Sequence, residues 1–117
     1  MHGRSYRVAV RSKVWLDAGG RFALGDGGVS LLRAIDENGS IRAAATHVGW
    51  SYRHTLAYLD NAEAALRRPL VERARGGNAR GGARLTGEAR EFVRRYVSFR
   101  ERADATLLRL YRSTFGA

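Results

Sequence analysis

The 117-residue chain contains no cysteine, one proline, one methionine and one lysine. Without cysteine it can hold no disulfide framework, zinc knuckle or thiol nucleophile. No segment approaches the run of about 18 apolar residues that a membrane-spanning helix needs. Met1 to Arg11 is basic but alternates polar and apolar types. It lacks the unbroken apolar stretch of a signal peptide, so the expected compartment is the cytoplasm. The only histidines are His2, His47 and His54, and they show no metal-ligand spacing. No pair of carboxylates is placed for acid–base chemistry, and no serine lies in a nucleophile motif. These absences predict a non-enzyme with no metal site and no cofactor.

Acidic residues are scarce too. Eleven Asp+Glu face 21 Lys+Arg, a formal net charge of +10 and a pI near 11.3. Such a field attracts polyanions. Arginine outnumbers lysine 20 to 1, which GC-rich codons alone can produce, so the placement of the charge decides its meaning. Hydrophobic residues make up 44% of the chain, enough for a packed core.

Tyr6, Val8, Val10, Val14 and Leu16 fall on even positions, a period of two that predicts a strand over 5–16. Asp17-Ala18-Gly19-Gly20 is turn chemistry, and 21–24 returns as its partner, giving a hairpin over 5–25. Asp26 is placed to cap a helix over 27–38, with Leu31, Leu32 and Ile35 as its buried stripe and Gly39 at its end. Ser40 caps a second helix, Ile41 to Val48, with Ile41, Ala44, Ala45 and Val48 on one face. Gly49 closes it, and Trp50 reads as a core plug.

Ser51 caps a third helix from Tyr52 to about Leu66. Helical spacing puts Tyr52, Leu56, Leu59 and Leu66 inward and Arg53, His54, Ala57, Tyr58 and Asn61 outward. The two short helices over 40–66 form a helix-turn-helix. The outward set suits a recognition helix, since Arg bridges guanine, Asn pairs with adenine, and small Ala permits close approach or touches a thymine methyl.

Pro69 ends the helical stretch. Residues 70–75 and 83–85 read as strands around the glycine-rich tip 76–82, a wing over 70–85. Thr86 caps a last helix over 86–113. Along it Leu85, Ala89, Phe92, Tyr96, Phe99, Ala103, Thr106 and Leu110 alternate spacings of four and three, a heptad-like seam. A helix of about 27 residues spans about 40 Å and overhangs a domain of this size, so the seam predicts a homodimer. Between Arg42 and Arg84 eight arginines face three acidic residues, half of the net charge in little more than a third of the chain.

The stretch Gly39-Ser40-Ile41-Arg42-Ala43-Ala44-Ala45, followed by Val48-Gly49-Trp50-Ser51-Tyr52-Arg53, resembles the helix-turn-helix of ModE-type molybdate-responsive transcription regulators. Pro69-Leu70-Val71-Glu72-Arg73-Ala74-Arg75-Gly76-Gly77, with Gly81-Gly82-Ala83-Arg84-Leu85-Thr86, is similar to that family's wing and the start of its last helix. The resemblance covers about residues 26–92. It implies a winged helix related to the LysR-type N-terminal domain, dimeric on DNA, with the recognition helix at Ser51 to Asn61 and the wing at Arg75 to Arg84. Leu56 stands where the family often has Trp, Asn61-Ala62-Glu63 replaces an acidic-Met-Asn run, and Ala89 replaces a common Gly. Full-length members carry C-terminal molybdate-binding modules. The 117 residues leave no room for them, so the expectation is a stand-alone DNA-binding domain with no support for an oxyanion effector.

The combined expectation is a mainly α, α+β winged helix-turn-helix over 1–117, with an N-terminal hairpin and a long C-terminal dimerisation helix. Its expected role is transcriptional regulation from a palindromic operator with half-sites about 34–36 Å apart or a multiple. Arg53 and Asn61, with His54 and Tyr58, are the candidates for base edges. Ala57 lies among them. Ser40, Arg42, Ser51, Arg75, Arg80 and Arg84 are the candidates for phosphate, and Tyr52 and Asn78 belong to the same surface. Phe92, Tyr96, Phe99, Ala103, Thr106 and Leu110 are the dimer candidates. Two readings from other classes remain open: a basic dimeric adaptor for an acidic protein, and a small-oxyanion sensor built on the glycine-rich tip.

Overall fold

A computed structural model describes residues 8–73 and 82–116. Gly19 and Gly20 take φ of +58° and +79°, the two positive values that a two-residue mirror-image hairpin turn needs. That turn joins β1 (Trp15–Ala18) to β2 (Arg21–Gly25), with Ala18 opposite Arg21 and Trp15 opposite Gly25. The register slips between Leu16 and Asp17. The slip turns the neighbours Ala23 and Leu24 both into the core, at 1% and 0% exposure.

The hairpin is shorter than the period of two predicts. β2 stops at Gly25 because α1 (Asp26–Asn38) starts there, so residues before Trp15 have no strand to pair with. Of the expected strand 5–16, residues 5–7 lie outside the described residues. Residues 8–14 form a strap along the last helix instead. The strap's Val8 carbonyl accepts from Tyr111 Oη at 2.6 Å, and its Ser12 carbonyl accepts from Arg100 Nη2 at 3.1 Å. Val14 offers its carbonyl to Tyr96 Oη at 3.1 Å. Six residues of extended chain span about 20 Å, and fifteen helical residues about 22 Å. The two therefore run side by side in opposite directions.

α1 buries Leu31, Leu32 and Ile35 completely, as its periodicity predicts. It ends at Gly39, left-handed at φ +70°, whose N–H reaches the Ile35 carbonyl. Ser40 Oγ then accepts the Ala43 N–H, and α2 (Ile41–Val48) closes on left-handed Gly49. Ser51 Oγ accepts the His54 N–H to open α3 (Tyr52–Leu66). Arg67 takes the left-handed cap after it, at φ 57°. The Glu63 carboxylate accepts the N–H groups of Leu70 and Val71 at 2.7 and 3.2 Å, which fixes the path from α3 into the wing.

The wing stem is β3 (Val71–Arg73) against antiparallel β4 (Ala83–Leu85), with Val71 opposite Leu85. β4 also docks on the α1–α2 junction, where the Ala83 N–H donates to the Gly39 carbonyl at 2.9 Å. Thr86 donates its hydroxyl to the Pro69 carbonyl and accepts the Ala89 N–H, opening α4 (Gly87–Phe115). The core gathers Leu24, Leu31, Leu32, Ile35 and Leu59 with Leu70, Leu85 and Ala89. Trp50 packs against it part-buried rather than plugging its centre.

The fold is an α+β winged helix-turn-helix with an N-terminal hairpin and a long C-terminal helix. At 29 residues α4 is about 43 Å long. The Cα radius of gyration is 18.2 Å, against about 13 Å for a compact domain of this size. The molecule measures 71 × 29 × 21 Å, so α4 overhangs its own body as its length predicts. Among the described residues no helix is long and apolar enough to cross a membrane.

Candidate nucleic-acid interface

α3 is anchored by small and medium side chains. Thr55, Leu59 and Ala62 are buried at 0%, 0% and 1%, and the Thr55 hydroxyl donates to the Ser51 carbonyl at 2.8 Å. Thr55 and Ala62 escape a reading that looks for large apolar residues. Their i, i+4, i+7 spacing with Leu59 was the available signal. With that face inward, Arg53, His54, Ala57, Asp60, Asn61 and Ala64 are exposed. Arg53, Ala57 and Asn61 form one unobstructed row at intervals of four. Asp60 beside them is one of the three acids set against the eight arginines of this stretch, and it is exposed.

Two residues sit differently from expectation. Tyr52 is exposed rather than inward, and the Arg42 guanidinium lies over its ring at 3.9 Å from the centroid. This cation–π stack places the α2 arginine beside the N-terminal end of α3. Tyr58, expected outward, is half-buried and structural. Its Oη accepts the Gly25 N–H at 3.2 Å, and its ring packs among Trp50 at 5.0 Å and Phe22 at 5.9 Å. Burial pushes its phenol above the ordinary value, and the Gly25 N–H acts in the opposite sense. The reason is local: α3 leans its Tyr58 side on the hairpin and the first turn of α1, so that side is not free. His54 is exposed but edge-on to Trp50 at 4.7 Å, at the border of the same cluster.

Ser40 and Ser51 both spend an oxygen lone pair on helix capping, and each keeps its hydroxyl proton for an outside acceptor. On the wing stem Arg84 Nε pairs with Glu72 at 3.0 Å, both side chains being exposed. An exposed pair of this kind is weak enough to be exchanged for a phosphate. Arg75, Asn78 and Arg80 lie outside the described residues, with the rest of 74–81. Arg67, Arg68 and Arg73 extend the exposed basic surface near the wing.

The dimer candidates divide in two. Phe92 packs against the core, and Tyr96 is only 5% exposed, so both serve their own chain. The heptad pattern did not separate them because a seam against one's own body and a seam against a partner have the same period. Phe99 and Leu110 are exposed at 48% and 60%. With Ala103, Thr106, Leu107 and strap residue Val14 they border a groove of about 810 Å³.

Asp26 also sits differently from expectation. It is the first residue of α1 rather than its cap, and the cap position falls to Gly25 without a side-chain bond. Its carboxylate accepts from Arg100 Nε at 2.9 Å, from Arg100 Nη2 at 3.1 Å and from the Tyr96 hydroxyl. The Arg100 bond, helped by Tyr96, holds the Asp26 carboxyl below the usual range against the effect of burial. Burial and Asp26 push the Tyr96 phenol up. Among the described residues no three His, Cys, Asp or Glu side chains gather where they could hold a metal ion.

Comparison with known proteins agrees with this architecture. The chain is 36% identical over 88 residues to the molybdenum transport protein ModE of Herbaspirillum seropedicae. It is 35% identical over 104 residues to the ModE of Azotobacter vinelandii. These stretches take 69% and 89% of this chain but 33% and 38% of the relatives, so the chain spans little more than a third of their length. The molybdenum-pterin-binding protein MopB of Rhodobacter capsulatus is 41% identical over 68 residues, 58% of this chain and 25% of that protein. No protein-family model matches. In fold, the chain superimposes on the crystal structure of a CbnR DBD–DNA complex with a TM-score of 0.53 and 25% identity. That match covers 67% of this chain and 87% of the other. The architecture is that of a non-catalytic domain. The chain is a winged-helix domain homologous to the DNA-binding module of ModE- and LysR-type regulators.

Proposed function

We propose that the domain binds duplex DNA sequence-specifically as a homodimer and regulates transcription. The observation that carries this reading is the free α3 row of Arg53, Ala57 and Asn61, with the Arg42–Tyr52 stack at its N-terminal end. α3 enters the major groove. Arg53 and Asn61 read base edges, Ala57 lets the helix approach, and His54 stands at the margin. Ser40, Ser51, Arg42 and the wing arginines hold phosphates and fix the register. The exposed outer part of α4 and the overhang it creates support dimerisation there. The ModE relatives support a molybdenum-related set of target genes.

Selection from random duplexes tests the reading directly. A palindromic consensus is expected, with half-sites about 34–36 Å apart or a multiple. No enrichment of any sequence overturns it. With about six phosphates neutralised, log K should fall against log salt with a slope of about −5. A slope near zero removes the electrostatic basis.

Arg53→Ala should cost about 1–3 kcal/mol of binding and relax the preference at one base position. Competition binding against all single-base variants of the consensus measures this. A uniform loss across all sequences would move Arg53 from base reading to phosphate contact.

A further inference from the structure

The first turn of α1 touches two functional elements at once. On one side the Gly25 N–H donates to Tyr58 of α3, and Gly28 packs against the Tyr58 ring. On the other side Asp26 holds Tyr96 and Arg100 of α4. Arg100 is 17% exposed in its side chain, and it also reaches the Ser12 carbonyl of the strap and Asp104 one turn further along α4. Beyond Tyr96 no residue of α4 is fully buried. Past that point the polar ties between α4 and the rest of the chain include Arg100 to Asp26 and Ser12, Ser12 to Asp104, and Tyr111 to Val8.

The Asp26–Tyr96–Arg100 junction sits at the base of the overhang. The outer stretch from Tyr96 to Leu110 is about 21 Å long. A tilt of about 10° at its base moves its far end by about 3.7 Å, comparable to the rise of one base pair, about 3.4 Å. In a dimer joined near that far end, such a tilt moves each body by about one base-pair step, and the two-fold applies it to both protomers.

We propose that the Asp26–Tyr96–Arg100 cluster sets the half-site spacing that the dimer accepts. These are positioning residues that act through the angle of α4 on the placement of α3. The inference rests on the DNA-binding dimer proposed above. It assigns sequence reading and spacing to different residues: Arg53 and Asn61 to the first, the cluster to the second.

The test uses the full 117-residue chain and a library that holds the selected half-sites constant while the spacer varies one base pair at a time. Wild type should favour one spacer over its neighbours by about tenfold or more, as expected when geometry alone governs simultaneous engagement. Asp26→Asn, Arg100→Met and Tyr96→Phe should keep the same half-site consensus but accept neighbouring spacers within about threefold of the best. Tyr96→Phe removes one hydroxyl and keeps the ring, so it remains informative if Asp26→Asn does not fold. Arg53→Ala should do the reverse, altering the half-site and preserving the spacer. An unchanged spacer preference in folded variants overturns the junction while leaving the DNA-binding dimer standing. Failure of the wild type to select paired half-sites overturns the dimer and the junction with it.

Discussion

Gly28→Ala should destabilise the domain by about 2–3 kcal/mol, even though alanine is the better helix former by about 1 kcal/mol. A Cβ at Gly28 would lie 2.1 Å from Tyr58 Oη and 2.6 Å from two of its ring carbons. Tyr58 cannot swing away cheaply. Its ring is set among Trp50 and Phe22, and its hydroxyl holds the Gly25 N–H. Thermal unfolding should show a fall of about 10 °C, at about 4 °C per kcal/mol for a domain of this size. In a Tyr58→Leu background the same alanine should cost much less, because the obstructing hydroxyl and ring are gone. An equal penalty in both backgrounds would place its origin elsewhere, and a rise in Tm would contradict the packing outright.

The second large effect concerns the overhang. Phe99→Asp combined with Leu110→Asp should abolish dimerisation, because both side chains are exposed on the outer half of α4 and contribute little to the body of the domain. Sedimentation should then give the 12.9 kDa chain mass instead of twice that value. Affinity for a paired site should fall about 100-fold or more, since the second half-site is no longer engaged as an intramolecular event. Affinity for a single half-site and the Tm should change little. A wild-type chain that is monomeric on a paired site would refute the arrangement.

The elements that the sequence revealed are those whose signals are local. Ser40 and Gly49 bracket α2 within ten residues, and both act through bonds to residues at most four positions away. The same holds for Ser51 at α3, Thr86 at α4 and Gly39 after α1. The misread positions depend on distant partners. An Asp before an apolar stripe reads as a cap, but the ligand of Asp26 is Arg100, 74 positions away. Alternation over Tyr6 to Leu16 predicts a strand, but among the described residues only Trp15 and Leu16 lie in one, and Val8 to Val14 lie along α4. Extended chain alternates in the same way whether it lies against a strand or along a helix, so the strap was not legible. Tyr58 was placed outward because its large neighbours at 52, 56 and 59 define a plausible stripe. The helix in fact turns on small Thr55 and Ala62, which let it pack closely. Of the candidate interface, Arg53, His54, Ala57 and Asn61 are exposed as expected and Arg42 stands at the same end of α3. Tyr58 belongs to the scaffold.

The strap has a practical corollary for labelling. By bringing Val8 to Tyr111, whose ring lies 5.1 Å from that of Phe115, it gathers both ends of the described chain at one pole. A dye attached at Val8 or Phe115, both exposed, sits at that pole, at the far end of the overhang. Such probes can follow the approach of two copies while leaving the α3 surface clear.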